Sequence, residues 1–226
     1  MTTLERKHYQ FKVKDPMSAL THFLGFIFAI IGMPTLLIKA SVYQNNLVSL
    51  ISYAIFMISM IILYGASSAY HSFNVNDNFN AILKRIDHMS IFILIAGSYT
   101  PICLVALRDS VGIKLLIAIW MIAIGGMILK FFYVFCPKWF SSLIYCLMGW
   151  LCISVLPELL KYLPTNSFYW LLAGGLFYTI GSIIYAIKPK FLTNEFFGNH
   201  ELFHCFVLAG SLCHFVVVFH YLVIIG

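Results

Sequence analysis

Two histidines and a glutamate near the end of the chain have the residue types and the spacing of a metal site. The stretch GNHELFHCF, residues 198–206, contains His200, Glu201 and His204 in an H-E-x-x-H pattern. In soluble enzymes this pattern indicates a zinc protease, with the histidines as ligands and the glutamate as general base. On a helix, His200 and His204 share one face about 6 Å apart, which suits two ligands of one metal ion.

The remaining members of a site must come from other segments, and two apolar runs carry them. The stretch SSAYHSF contains Ser67 and His71, four positions apart, and KRIDHMS contains Asp87. With His71 as the third imidazole, a tetrahedral zinc ion keeps one open position for water or substrate. Asp87 is predicted to orient or deprotonate that water, because zinc lowers its pKa to about 7. Ser67 is predicted to hydrogen-bond beside the site or to contact the substrate.

These candidate residues lie in a chain whose composition is typical of a membrane protein. Of its 226 residues, 62% are hydrophobic and 10% are charged, whereas soluble proteins carry about 25% charged residues. A transmembrane helix needs roughly 20 consecutive apolar residues. Such runs predict an all-α bundle of seven transmembrane helices at 17–39, 46–70, 88–107, 111–134, 140–160, 168–187 and 200–225. Residues 1–16 are predicted to be a short cytoplasmic segment, and 17–226 a single seven-transmembrane zinc-site domain.

The positions of Lys and Arg predict how this bundle is oriented. Of the fourteen basic residues, ten fall in the N-terminal segment and in the second, fourth and sixth predicted loops, and four fall on the other side. The positive-inside rule therefore places the N-terminus in the cytoplasm and the C-terminus outside the cell. In that orientation His71, Asp87, His200 and His204 all lie at the cytoplasmic end. The net charge of +6 gives no argument for a nucleic-acid partner.

The protease interpretation of H-E-x-x-H lacks a third ligand in the expected places. No Asp or Glu follows Glu201 in the chain, and Gly210 occupies the position where the extended metzincin pattern has its third histidine. Asp87 is the only other carboxylate predicted at that depth, and it lacks the glycine-containing aspartate motif of intramembrane proteases. His71 is therefore the better third ligand, although spacing alone leaves open that the three histidines coincide by chance.

The other histidines are assigned mainly packing roles. His88 and His220 are predicted to be hydrogen-bonded packing residues. His214 lies about 15 Å deeper along the helix than His200, so it is predicted to contact a polar pocket or to form an interhelical hydrogen bond. For His22, a role in supporting the ligands and a purely structural role stay open.

Three motifs together resemble a known family. SSAYHSF, IDHMSIFILIAGSYTP and HELFHCFVLAGSLCHF are similar to the hemolysin III branch of the progestin and adiponectin Q receptor (PAQR) superfamily, over essentially the whole chain. The resemblance implies zinc ligation by His71, His200 and His204, with Asp87 near the metal-bound water and Ser67 beside the site. Family members often have Gln in place of Glu201, which argues against a required general base there. The usual acidic residue ahead of the first span is represented only by Asp15, to which no mechanistic role is assigned.

The leading functional hypothesis is a zinc-dependent membrane hydrolase that cleaves amide or ester bonds of lipids, as the ceramidase-like receptor members imply. The first alternative is a receptor or membrane-state sensor in which zinc is structural. The second is a pore-forming cytolysin, which the family name implies. The expected location is the plasma membrane, and the expected partners are the bilayer and a lipid substrate or ligand, with no nucleic acid. The sequence predicts neither the substrate nor the oligomeric state.

Overall fold

The computed structural model describes residues 13–44, 46–190 and 197–225. Within these ranges the chain forms seven long apolar helices and no strand, which confirms the predicted all-α seven-helix bundle. The helices are α1 (Pro16–Tyr43), α2 (Leu47–Ser72), α3 (Asp77–Ala106), α4 (Gly112–Phe132), α5 (Lys138–Tyr162), α6 (Thr165–Ile187) and α7 (Asn199–Ile225).

Local signals in the sequence set where several helices begin and end. The side chain of Asn46 accepts a hydrogen bond from the Val48 amide at the start of α2, and Asn76 accepts one from the Phe79 amide at the start of α3. Both are N-caps, which satisfy amide groups that have no partner within the helix. Pro16 occupies the first turn of α1, where its missing N–H costs nothing.

The observed helix limits lie within a few residues of the predicted ones, with α3 as the exception. The apolar run predicted a start at 88, but the helix begins at Asp77. The first three turns of α3 mix apolar residues with four charged ones, so they do not form a continuous apolar run, and the Asn76 cap starts the helix earlier. Asp87 therefore lies inside a continuous helix and its backbone is fixed.

Three helices depart locally from α-helical geometry near proline or near their ends. The last five residues of α3, Ile102–Ala106, form a π-turn directly after Pro101. A 3-10 segment, Trp150–Val155, interrupts α5 just before Pro157, and α7 has a π-helical stretch at Val217–Leu222. Neighbouring helices in a membrane bundle can compensate for backbone groups freed by such irregularities.

The helices pack in a closed bundle with α3 as its most enclosed member and α5 as its most exposed. α1 packs on α2, α2 on α3 and α6 on α7, while α7 also contacts α1. Gly97 of α3 lies directly against the Ser59 side chain of α2, where any Cβ atom would clash with it. Small residues at such crossings let membrane helices approach closely.

Because consecutive helices alternate in direction, the beginnings of α1, α3 and α7 and the end of α2 lie at one end of the bundle, which we call the site end. The hydrogen bond from the Asp15 amide to the His71 carbonyl, 2.9 Å, ties the first turn of α1 to the last turn of α2 there. The loop from α4 to α5 lies at the same end. The site end therefore collects the polar residues that the sequence singled out.

Candidate metal centre

Three histidines from two helices converge at the site end. His71 ends α2, and His200 and His204 lie one turn apart at the start of α7. One ring nitrogen of each lies within 4.8 Å of one ring nitrogen of each of the others. His71 and His204 are buried, and His200 is half-buried. These three side chains are the group of potential metal ligands found among the described residues.

Two of the three imidazoles are oriented through their Nδ1 atoms. His71 Nδ1 lies 2.9 Å from Asp15 Oδ2, and His204 Nδ1 lies 3.2 Å from the carbonyl oxygen of Ser18. Since a carboxylate and a carbonyl only accept hydrogen bonds, Nδ1 of each ring carries the proton and Nε2 keeps its lone pair. Ligating histidines in metalloproteins are usually held in this way by a carboxylate or a carbonyl behind them.

The donor set suits a borderline metal ion such as zinc. The Nε2 atoms of His71 and His200 face each other at 3.0 Å. Two nitrogens on one tetrahedral zinc, each about 2.0–2.1 Å from the metal, are separated by about 3.3 Å, so this pair is already close to ligand spacing. His200 Nδ1 is buried and has no hydrogen-bond partner among the described residues. Three imidazoles from two helices match the all-histidine ligand set of some catalytic zinc sites.

Asp87 lies near the cluster but is held by other groups. Its carboxylate Oδ2 is 3.0 Å from His88 Nδ1, and Ser67 of α2 lines the same cavity as Asp87. Asp87 is buried, as is Ser67. His88, for which the sequence predicted a packing role, is thus a direct neighbour of the candidate proton carrier. Asp87 is not one of the three residues whose ligand atoms converge, but it lines the same cavity as His200 and His204.

Glu201 has a structural role in this arrangement. Its carboxylate accepts hydrogen bonds from the Gly198 amide at 2.9 Å and from the Ser18 hydroxyl at 2.6 Å. The first contact is the glutamate half of a capping box at the start of α7, and the second joins α7 to α1. Glu201 therefore helps to fix the helix turn that carries His200 and His204.

The remaining buried histidines take two different positions. His22 of α1 stacks on His204, with ring centroids 3.5 Å apart, and neither of its nitrogens has a partner among the described residues. This placement favours the supporting role over the purely structural one. His214 lines the cavity described below and stacks on Tyr178, with ring centroids 5.4 Å apart, which agrees with the predicted polar contact in a pocket.

A cavity of about 360 Å³ extends from the histidine cluster into the bundle between α3, α5, α6 and α7. Its wall at the site end contains the polar side chains Ser67, Asp87, His88, His200 and His204. Farther along, the wall is mostly apolar and aromatic, with residues such as Ile95, Tyr99, Leu159, Phe168 and Leu171. A cavity with a small polar end and a larger, mostly apolar part is complementary to a lipid with a polar head and an acyl chain.

The residues that orient the cluster were largely missed at the sequence level. Asp15 was assigned no mechanistic role, yet it contacts His71 directly. Ser18 contributes its backbone carbonyl to His204 and its hydroxyl to Glu201, and Thr21 Oγ1 lies 3.2 Å from His204 Nδ1. The available signal was their position in the first turns of α1, at the same depth as the histidines.

Comparison with known proteins identifies the family. The family model described as "Haemolysin-III related" matches residues 11–215. The chain belongs to this family. It is 36% identical to "Hemolysin-3" of Bacillus cereus over 98% of this chain and 97% of that protein. It is 35% identical to "Hemolysin-3 homolog" of Bacillus subtilis (strain 168), over 94% of this chain and 97% of that protein.

More distant similarity reaches the receptor branch of the superfamily. The chain is 25% identical to "Progestin and adipoQ receptor-like protein 1" of Caenorhabditis elegans, over 72% of this chain and 42% of that protein. Together with the seven apolar helices, membership in this family makes the protein a multi-pass membrane protein.

Proposed function

We propose that this member of the haemolysin III family is a zinc-dependent hydrolase of lipid amide or ester bonds that contributes to membrane lipid homeostasis. One observation carries the proposal: His200, His204 and Asp87 line the same cavity, and most of its remaining lining is apolar or aromatic. A metal site used only for structure has no need of an adjacent proton carrier or of an opening to an acyl-sized cavity.

His71, His200 and His204 would hold the metal ion through ring nitrogens. A bound zinc ion supplies Lewis-acid activation of the substrate carbonyl and of water near neutral pH. Asp15 and the Ser18 carbonyl keep His71 and His204 in the tautomer that presents Nε2. His22, stacked on His204, restricts the rotation of that ring.

Asp87 is the group that moves the proton. It accepts a proton from the attacking water and returns it to the leaving nitrogen or oxygen as the carbonyl–heteroatom bond breaks. The contact with His88 Nδ1, 3.0 Å from Oδ2, restrains its carboxylate in the wall of the cavity. Ser67 and His88 line the same cavity, so both are positioned to contact the head of a bound lipid as well.

The apolar part of the cavity is proposed to hold an acyl chain. Two residues of its wall, Ile153 of α5 and Leu172 of α6, are also exposed on the outside of the bundle. α5 is the least enclosed helix and is interrupted by its 3-10 segment at this level. These features support entry of the lipid from the bilayer between α5 and α6, without passage through water.

We further propose that the site end faces the cytoplasm and that the protein resides in the plasma membrane, with residues 1–16 as a short cytoplasmic segment before the domain 17–226. The excess of Lys and Arg at the site end supports this orientation. A lipid entering from the bilayer would then present its carbonyl at the level of the inner leaflet.

The test of the hydrolase is release of fatty acid by the purified protein. Protein stripped of metal and then reloaded with zinc is incubated with ceramides, phospholipids and acylglycerols in bilayers, and the products are measured by mass spectrometry. Zinc-dependent release from at least one class is expected. If zinc-loaded protein released fatty acid from none of these lipid classes, the result would contradict the proposal.

A second candidate function, a receptor or membrane-state sensor with structural zinc, is favoured by one observation. The cluster joins α2 to α7, and its supporting contacts from Asp15 and Ser18 join both helices to α1. A zinc ion there would fasten three helices at one end. In that case Asp87→Asn leaves function intact, whereas His204→Ala destabilises the bundle.

The names "Hemolysin-3" and "Hemolysin-3 homolog" of the two Bacillus relatives suggest a third function, a cytolysin. Ion-conducting pores need polar groups along their length, while the carboxylate and the histidine cluster here lie at one end of a largely apolar cavity. We therefore expect purified protein neither to lyse erythrocytes nor to conduct ions in planar bilayers. Conductance in bilayers would favour the cytolysin.

A further inference from the structure

A second cluster of reactive side chains lies at the site end, between the end of α4 and the start of α5, and one of its members, Ser141, lines the cavity. Lys130 ends α4, Cys136 lies in the following loop and Ser141 is in the first turn of α5. Lys130 Nζ is 3.0 Å from Cys136 Sγ and also donates to Ser141 Oγ. Cys136 Sγ and Ser141 Oγ are 3.4 Å apart. The three polar atoms thus form a closed triangle.

Lys130 is an unusual member of such a triangle because its side chain is completely buried. Among the described residues, no carboxylate lies within ion-pair distance of its Nζ atom. A buried cation without a counter-charge is costly, so buried Lys residues are normally paired. The side chain in contact with Nζ that can become an anion is the Cys136 thiol.

The environment of Cys136 favours its anionic form. Partial burial raises the pKa of the Cys136 thiol, but hydrogen bonds from Ser141 and Lys130 and the positive charge of Lys130 outweigh this and bring the pKa below its usual value. The ionisable groups that face it from neighbouring helices are Lys84 on α3, Lys130 on α4, Tyr145 on α5 and Tyr185 on α6. Both lysines add positive charge, and thiols beside Lys are commonly reactive for this reason.

Cys136 is also accessible. It is half-buried in a loop outside the membrane-spanning helices, whereas Cys103 and Cys213 are buried within them. We propose that Cys136 is a modification site, a thiolate paired with the Lys130 ammonium that is oxidised by hydroperoxides. Nothing in the proposed lipid hydrolysis requires this site, because none of its three residues is a candidate metal ligand or the proposed proton carrier.

The oxidation balances with the groups present and one hydroperoxide, ROOH. The Cys136 thiolate attacks the terminal oxygen, an S–O bond forms and the O–O bond breaks. Lys130 donates its proton to the leaving oxygen, which departs as the alcohol ROH, or as water when R is hydrogen. Sulfur is oxidised by two electrons to the sulfenic acid, the peroxide is reduced by two, and Lys130 is left as the neutral amine.

Alkylation kinetics test the thiolate. The purified full-length protein is treated with iodoacetamide across a pH series, and labelling of each cysteine is followed by peptide mass spectrometry, with Cys146 and Cys205 as internal references. We expect the rate at Cys136 to rise with a midpoint below that of an ordinary thiol, about 8.5. Lys130→Met should slow labelling at pH 7 by about three- to tenfold, while the control Lys138→Met should change it less than twofold.

A midpoint for Cys136 at or above that of an ordinary thiol would overturn the proposal, and this result needs no variant to fold. The oxidation is tested in the same protein with hydrogen peroxide in one arm and a fatty-acid hydroperoxide in bilayers in the other. A dimedone adduct on Cys136 that forms faster than on the reference cysteines supports the site. The arm that reacts faster identifies the aqueous or the lipid source, and no selective adduct in either arm overturns the oxidation.

Discussion

Asp15 Oδ2 lies 2.9 Å from Nδ1 of His71, so the residue just ahead of α1 holds the only candidate ligand that α2 contributes. The backbone supports the same contact, since the Asp15 amide donates to the His71 carbonyl. The carboxylate thereby fixes both the tautomer and the direction of the imidazole. The candidate metal centre therefore depends on Asp15, which is not one of its three candidate ligands.

Removal of this carboxylate should weaken metal binding. Asp15→Asn keeps the size of the side chain but removes its charge and can no longer enforce the Nδ1–H tautomer of His71. We expect zinc affinity to fall about 10- to 100-fold, as for other partners of ligating histidines. The measurement is competition with a fluorescent chelator, with Asp109→Asn, an exposed position at the other end of the bundle, as the control. Equal affinities of the two variants would contradict the role of Asp15.

Substitution of one of the three clustered histidines should lower the metal content of the protein, whereas substitution of another histidine should not. His71→Ala removes a ligand atom, and because α7 alone supplies two, we expect loss of most bound zinc by elemental analysis. His214→Ala changes the same residue type deep in the cavity and should keep the wild-type zinc content. Zinc retained in full by His71→Ala protein would show that α2 does not complete the site.

Glu201 should tolerate the loss of its charge but not of its hydrogen bonds. Glu201→Gln can accept from the Gly198 amide through its oxygen and donate its NH2 group to the Ser18 hydroxyl, so its zinc content and thermal stability should stay close to wild type. Glu201→Ala loses the cap and should lower the free energy of unfolding by about 1 kcal/mol, measured as a lower midpoint of thermal unfolding. Loss of lipid hydrolysis in stable, zinc-loaded Glu201→Gln protein would instead make Glu201 the general base.

The cavity should select for the length of the acyl chain. Gly175 of α6 lines the cavity, so Gly175→Phe fills part of its apolar region without changing any of the three candidate ligands. We expect kcat/KM for long-chain lipids to fall at least about tenfold, whereas a short-chain ester is hydrolysed as by wild type. Gly125→Phe is the matched control, because Gly125 of α4 faces open space. A parallel fall for both chain lengths would place the acyl chain elsewhere.

Much of this architecture could be predicted from the sequence, because it depends on signals that are local. Seven apolar runs predicted seven helices, and the i and i+4 spacing of His200 and His204 predicted their common face. The meeting of these two with His71 followed from helix direction and a family resemblance. The roles of the three as ligands, and of Asp87 and Ser67 in catalysis, stay predictions.

What the sequence could not supply were contacts between distant segments. The acceptor for His204 is a backbone carbonyl at Ser18, and any residue type offers one. Glu201 matches a catalytic motif and a helix cap equally well, and only its contacts with Ser18 and Gly198 distinguish the two. The start of α3 mixes charged and apolar residues, so the apolar run alone predicts a helix that begins three turns too late.

The most direct test of the central claim is fatty-acid release from acyl lipids in bilayers by two zinc-loaded proteins, wild type and Asp87→Asn. Both should contain the same amount of zinc, because Asp87 is not one of the three candidate metal ligands, which are all histidines. We expect hydrolysis by wild type and a rate lower by about 100-fold or more in Asp87→Asn, the usual contribution of a general base. Equal rates for the two proteins, or no hydrolysis by either, would contradict a zinc hydrolase that uses Asp87.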